Sequence, residues 1–172
     1  MSIAIIGCSG RDNEFTDPSM FDRMVDRAWS IIEEFKLPAF RLVSGGAAWS
    51  DHVAVALCLK YKCLLDLHLP CQWTGSDFES NHCGRVANRL HRIFSSMTKR
   101  DSLAELEACR MPGNSFRHYK GFYARNTAIA KSDYMIAFSW SKDKEPVEGG
   151  TLNTWKQAKK HKFHISLHDL MK

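Results

Sequence analysis

An unbroken apolar run, Ile3-Ala4-Ile5-Ile6, opens the chain and ends at a glycine. Strict alternation would mark a half-exposed strand. A run without a polar member marks a strand covered on both faces, as in the middle of a parallel sheet. The period then changes. Phe21, Met24, Val25, Ala28, Ile31, Ile32 and Phe35 recur every three or four residues and form one apolar stripe of a helix. Asp17-Pro18 reads as its N-cap and first-turn proline, and Leu37-Pro38 ends it. Residues 40–43 form a second strand. Residues 51–62 form a second helix, with Val53, Ala56, Leu57 and Tyr61 on its inner face, and residues 64–69 form a third strand closed by Pro70.

Residues 71–118 break this rhythm. They begin polar and continue with helical stripes at Val86, Leu90, Ile93, Phe94 and Met97, then Leu103 and Leu106. The stretch is too long for a simple connection. It is either a helical lid beside a site or an oligomerisation element. The alternation resumes with a helix over 121–131, a strand over 133–140, a helix from about 149 to 160 and a last strand over 163–167. Strand and helix in turn predict an α/β fold, a Rossmann-like open parallel sheet with helices on both faces and a helical insertion. The whole chain, 1–172, reads as a single domain.

Three of these strands run into glycine turns: Gly7-Cys8-Ser9-Gly10-Arg11, Ser44-Gly45-Gly46 and Glu148-Gly149-Gly150-Thr151. Adjacent glycines let backbone approach a ligand closely, and a helix starting just beyond offers free N–H groups to an anion. In a parallel sheet all three turns fall on one edge, outside the carboxyl ends of the strands. The spacing matches neither the dinucleotide fingerprint nor the Walker A pattern, so a mononucleotide or a smaller phosphate ester is favoured over NAD or ATP. Arg11 and Arg125 are the candidate anion clamps, with Asn126 beside the second. Asp51 either caps its helix or accepts from a sugar hydroxyl. Trp49, Trp140 and Trp155 border the turns, as base-stacking rings or as core. His52 and His118 are the histidines nearest the expected edge. Cys8 sits where a helix N-terminus would lower a thiol pKa, or it is simply a small buried hydrophobe.

Composition narrows the picture only slightly. The net charge of +5 suits a phosphorylated ligand and permits nucleic-acid contact, but the basic residues are scattered apart from Lys99-Arg100 and Lys159-Lys160-His161-Lys162. No apolar run approaches membrane-spanning length, and the N-terminus reads as a strand rather than a signal peptide. Six cysteines without a C-x-x-C pair read as reduced thiols of a cytoplasmic protein, with no metal and no cofactor implied.

Four segments, G-C-S-G-R, S-G-G-A-x-x-S-D-H-x-A, A-R-N-x-x-I-A-x-x-D-Y-M-I-A-F and E-G-G-T-x-x-T, resemble the SLOG superfamily in this order. The closest resemblance is to its YspA/YpsA-related branch; the Lonely Guy phosphoribohydrolases and DprA are more distant. The resemblance covers about 1–70 and 119–168. It implies a nucleotide or nucleotide-derived ligand held by Gly7, Ser9, Gly10, Arg11, Ser44, Gly45, Gly46, Asp51, Asn126, Gly149, Gly150 and Thr151. It also implies pairing of subunits into a homo-oligomer. The phosphoribohydrolases carry P-G-G-x-G-T-x-x-E and an arginine matching Arg125. Here Thr154 or Trp155 stands about where their glutamate falls, and a threonine cannot serve as a carboxylate acid or base. Glu148, together with Arg125, is the remaining catalytic candidate. Three functions follow as expectations: a sensor or sequestering protein for a signalling nucleotide, an N-glycosidic-bond hydrolase acting on a nucleoside monophosphate, and a single-stranded nucleic-acid binder.

Overall fold

A computed structural model describes residues 1–171. Six strands form one all-parallel sheet: β1 (Ser2–Gly7), β2 (Arg41–Ser44), β3 (Leu64–Leu69), β4 (Ser115–His118), β5 (Tyr134–Ser139) and β6 (His161–Ser166). Their order across the sheet is β4-β3-β2-β1-β5-β6. The chain steps outward from β1 to β4, then returns to β5 on the other side of β1. The strand order reverses between β1 and β5, the place where open α/β sheets leave a crevice.

Both faces are covered, as the apolar runs require. Ile3 and Ile5 point into a layer with α1 (Met20–Glu34) and α2 (His52–Tyr61), together with Leu42, Leu65 and Phe138. Ala4 and Ile6 point the other way, with Val43, Met135 and Ala137, against Ile129 and Trp155 of α5 (Phe122–Ile129) and α6 (Gly149–Gln157). The two-residue period of a strand produces this division. Among the described residues, no helix is long and apolar enough to cross a membrane.

Three expectations differ from the structure. The stretch 71–118 is not helical throughout. After α3 (His82–Thr98) and α4 (Ser102–Ala108), it ends in the edge strand β4, which pairs with β3 from Asp66↔Ser115 to Leu69↔His118. Ser-Phe-Arg-His carries no apolar run because an edge strand buries little. Helix α1 starts at Met20, not beside Pro18. Asp17 accepts from the Ser19 N–H at 2.9 Å and from the Ser19 hydroxyl at 2.7 Å, forming a turn ahead of the helix. Helix α2 is not amphipathic. His52 through Cys58 are all buried, because α2 is packed by α1 on one side and α4 on the other while lying on β2 and β3.

Polar links fix the strand register. Asp133 accepts from the Ser2 N–H at 2.9 Å, tying the entry of β5 to that of β1. Arg41 holds Asp66 through two hydrogen bonds of 2.8 and 2.6 Å between β2 and β3. Both edges are charged. Arg117 and His118 stand exposed on β4. His161 and Lys162 stand exposed on β6, preceded by Lys160, which pairs with Asp133.

Candidate functional site

The loops leaving β1 and β2 and the loop entering α6 meet around one cleft of about 760 Å³ at the carboxyl edge of the sheet. That volume is in the range of small-molecule sites. Gly7, Ser9, Arg11, Gly45, Gly46, Asp51, Arg125, Asn126, Glu148, Gly149, Gly150 and Thr151 all line it. The expected convergence of the three turns therefore holds. Two expected residues do not reach the cleft. Gly10, at φ 89°, packs so tightly on Trp49 that an added Cβ would lie 2.7 Å from the indole. Ser44 is fully buried under the second turn.

The second turn is less open to an anion than its sequence suggests. The Ser44 hydroxyl accepts from the Gly46 N–H at 3.1 Å and donates to the Asp51 carbonyl at 2.8 Å. The Asp51 carboxylate accepts from the Ala47 N–H at 3.4 Å and also faces the Gly45 N–H. The amides that would cradle a phosphate are thus partnered by the chain's own carboxylate. The third turn differs. No side chain among the described residues caps α6, and Glu148 at its N-cap is exposed. The first N–H groups of a helix have no partner within the helix, and Gly149, Gly150 and Thr151, which carry them here, line the cleft.

Arg125 and Asp51 share the cleft floor. Arg125 Nη1 donates to the Gly45 carbonyl at 3.0 Å. Burial lowers the Arg125 pKa and raises that of Asp51, and in each case the partner's charge opposes the shift. Each group is therefore the chief counter-charge of the other. Phe122 lies beneath both guanidiniums, with Arg125 Cζ at 5.1 Å and Arg11 Cζ at 5.8 Å from its ring centre. Such placement favours a cation by about 0.5–2 kcal/mol.

Glu14, which the sequence reading missed, also lines the cleft. Its Oε1 accepts from the Gly10 N–H at 2.9 Å. Burial raises its pKa, the Gly10 bond opposes this, and the charge of Asp12 adds to it. The nearby Cys8 thiol is pushed up to about 12, first by burial and then by Glu14. It is half-buried at the cleft, packed against the core, and is not an activated thiol. Nothing in the spacing marks Glu14, because its contact exists only once the first turn closes.

The aromatic and histidine candidates sort clearly. Trp49 is core: it stacks on Phe15 with ring centres 3.8 Å apart and meets Phe94 edge-on. It keeps a left-handed φ of 58°, rare for so large a residue. Trp155 is buried on the inner face of α6, and Trp140 is half-buried against Phe15. His118 is exposed at the end of β4. His52 is fully buried among Phe21, Phe94 and His91, with neither ring nitrogen hydrogen-bonded among the described residues. Glu105 Oε2 stands 3.7 Å from its Nε2.

His91, on α3, supports the second turn from behind. Its Nε2 lies 2.8 Å from the Gly46 carbonyl and its Nδ1 lies 2.9 Å from the Ser102 hydroxyl. A carbonyl only accepts, so Nε2 carries the proton and Ser102 donates to Nδ1. Burial, then the charge of His52, lowers the His91 pKa to about 3 and keeps the ring neutral.

Fold and site together define a Rossmann-like α/β protein with a polar cleft at the switch point of a parallel sheet. No family model and no solved structure matches the chain. It is 38% identical over 175 residues to "Uncharacterized protein R261" of Acanthamoeba polyphaga mimivirus, across 96% of this chain and 95% of the viral protein. The chain belongs to one family with that protein.

Proposed function

We propose that this cleft binds a nucleotide or nucleotide-derived phosphorylated ligand, and that the protein acts as a sensor or sequestering protein for it, in the manner of the SLOG superfamily its motifs resemble. The observation that carries this reading is the meeting of Arg11, Arg125 and the uncapped first turn of α6 around one cavity. Fixed N–H groups, a helix N-terminus and two planar guanidiniums form an anion-binding set. Phosphate sits at the Gly149–Gly150–Thr151 turn, and Asp51 accepts from a ribose hydroxyl. A thermal-shift panel of nucleoside mono-, di- and triphosphates tests this. At least one stabilises the protein in a concentration-dependent way; a panel without any shift sinks the reading.

Glu14 favours a second reading, hydrolysis of an N-glycosidic bond. A partly buried carboxyl with a raised pKa beside an anion site is suited to proton transfer. It occupies a different loop from Glu148, whose side chain is exposed. Release of free base from nucleoside monophosphates, abolished by Glu14→Gln and retained by Glu148→Gln, would support the second reading. No release above background leaves binding alone.

A further inference from the structure

One end of the cleft is apolar, and nothing in the glycine-turn chemistry uses it. Phe78, Val86, Ala87 and Leu90 line it beside Pro70. Three of them come from α3, at the three- and four-residue spacing that shares one helix face. All four belong to 71–118, outside the part of the chain that carries the family resemblance. None of them has a polar side chain.

This wall is fixed in place. The Asn88 carboxamide accepts from the Phe78 N–H and donates to the Phe78 carbonyl, both at 2.9 Å. The His91 bond to Gly46 locks α3 against the floor of the same cleft. Phe78, Ala87 and Leu90 are buried and form the backing of this wall, and half-buried Val86 is the member that opens to the cleft. A ligand made only of sugar and phosphate would leave that Val86 surface facing water, which apolar surface disfavours.

Resting on the nucleotide-binding reading, we infer that the wall of Phe78, Val86, Ala87 and Leu90 seats the base of a nucleoside phosphate. The base is held by its ring surface, and the phosphate lies at the cationic end by Arg11 and Arg125. The stretch 71–118 then gives this protein its ligand selectivity, by supplying an apolar contact that the glycine turns lack.

Isothermal titration with AMP, GMP, CMP, UMP and ribose 5-phosphate tests this. The tightest nucleoside monophosphate binds at least about tenfold more tightly than ribose 5-phosphate. Val86→Asn removes that margin and leaves the ribose 5-phosphate Kd within about twofold. Val86→Ala, which only trims a half-buried side chain, reduces the margin about threefold and guards against a folding defect in the first variant. Ribose 5-phosphate binding as tightly as every monophosphate overturns the inference while leaving phosphate binding intact. So does a full margin in both variants. Binding of neither nucleotides nor ribose 5-phosphate overturns the nucleotide reading itself, and the inference with it.

Discussion

His91 donates from Nε2 to the Gly46 carbonyl at 2.8 Å, joining two residues 45 positions apart. The bond connects α3 to the turn after β2, so the 71–118 stretch and the glycine turn hold each other in place. His91→Ala leaves that carbonyl unpaired and opens a void. The two effects together cost about 2–4 kcal/mol of stability. Chemical denaturation at pH 7.5 measures it.

The same residue makes stability depend on pH. The folded His91 pKa of about 3 lies below that of the unfolded chain, and His52 is shifted in the same direction by burial. Between the two values the unfolded state binds more protons, so stability rises with pH and is fully present above about 6.5. For His91 the loss from pH 7 to pH 5 is about 2 kcal/mol. Glu105, where burial is outweighed by His52 and Arg100, is held at about 2 and stays ionised across this window. Denaturation curves of wild type and His91→Phe across pH 5–7.5 should show a shallower pH dependence in the variant.

Gly45 and Gly150 give opposite expectations. A Cβ on Gly45 would lie 2.6 Å from Asp51 Oδ2 and 2.9 Å from Arg125 Cζ. Gly45→Ala therefore displaces both Asp51 and Arg125 at the cleft floor, lowering stability by about 1–3 kcal/mol and weakening binding of the proposed ligand. A Cβ on Gly150 meets its nearest neighbour, Asn126 Nδ2, at an ordinary 3.6 Å. Gly150→Ala should keep the Tm of the wild type. Melting curves of the two variants separate a packing glycine from an open one.

Asp51→Ala frees the amides of Gly45 and Ala47 and removes the counter-charge of Arg125. Stability falls by about 1–3 kcal/mol from the lost hydrogen bonds. The vacated turn then becomes an anion cradle. Inorganic phosphate should raise the Tm of Asp51→Ala more than that of wild type. Equal phosphate shifts in both proteins would falsify the view that Asp51 fills the turn.

Arg125→Lys keeps the charge and loses the planar fork that reaches the Gly45 carbonyl while facing Phe122. Lysine does not replace arginine at such a site. Nucleotide affinity should fall about tenfold or more, read by the same thermal-shift panel.

Much of this architecture was legible in the sequence. The apolar run at Ile3, the stripe from Phe21 to Phe35 and the three strand-ending glycine turns point to an open parallel sheet and to one edge where the turns meet. What stayed hidden depends on tertiary contacts. The edge strand at Ser115 buries too little to show a pattern. Helix α2 is buried all round, so it has no stripe. The partners of Gly46 and Ala47 are side chains that reach them only after folding. His91 is one histidine on a long helix until α3 packs beneath the second turn.

The basic residues at the rims of the sheet have a consequence for colloidal behaviour. An open parallel sheet ends in two strands with unpaired backbone groups, which invite a neighbouring molecule to add its own strand. Arg117 on one rim and Lys162 on the other place positive charge beside those groups. Identical copies repel one another there. These few rim cations thus oppose fibrous self-association, while Arg11 and Arg125 line the cleft.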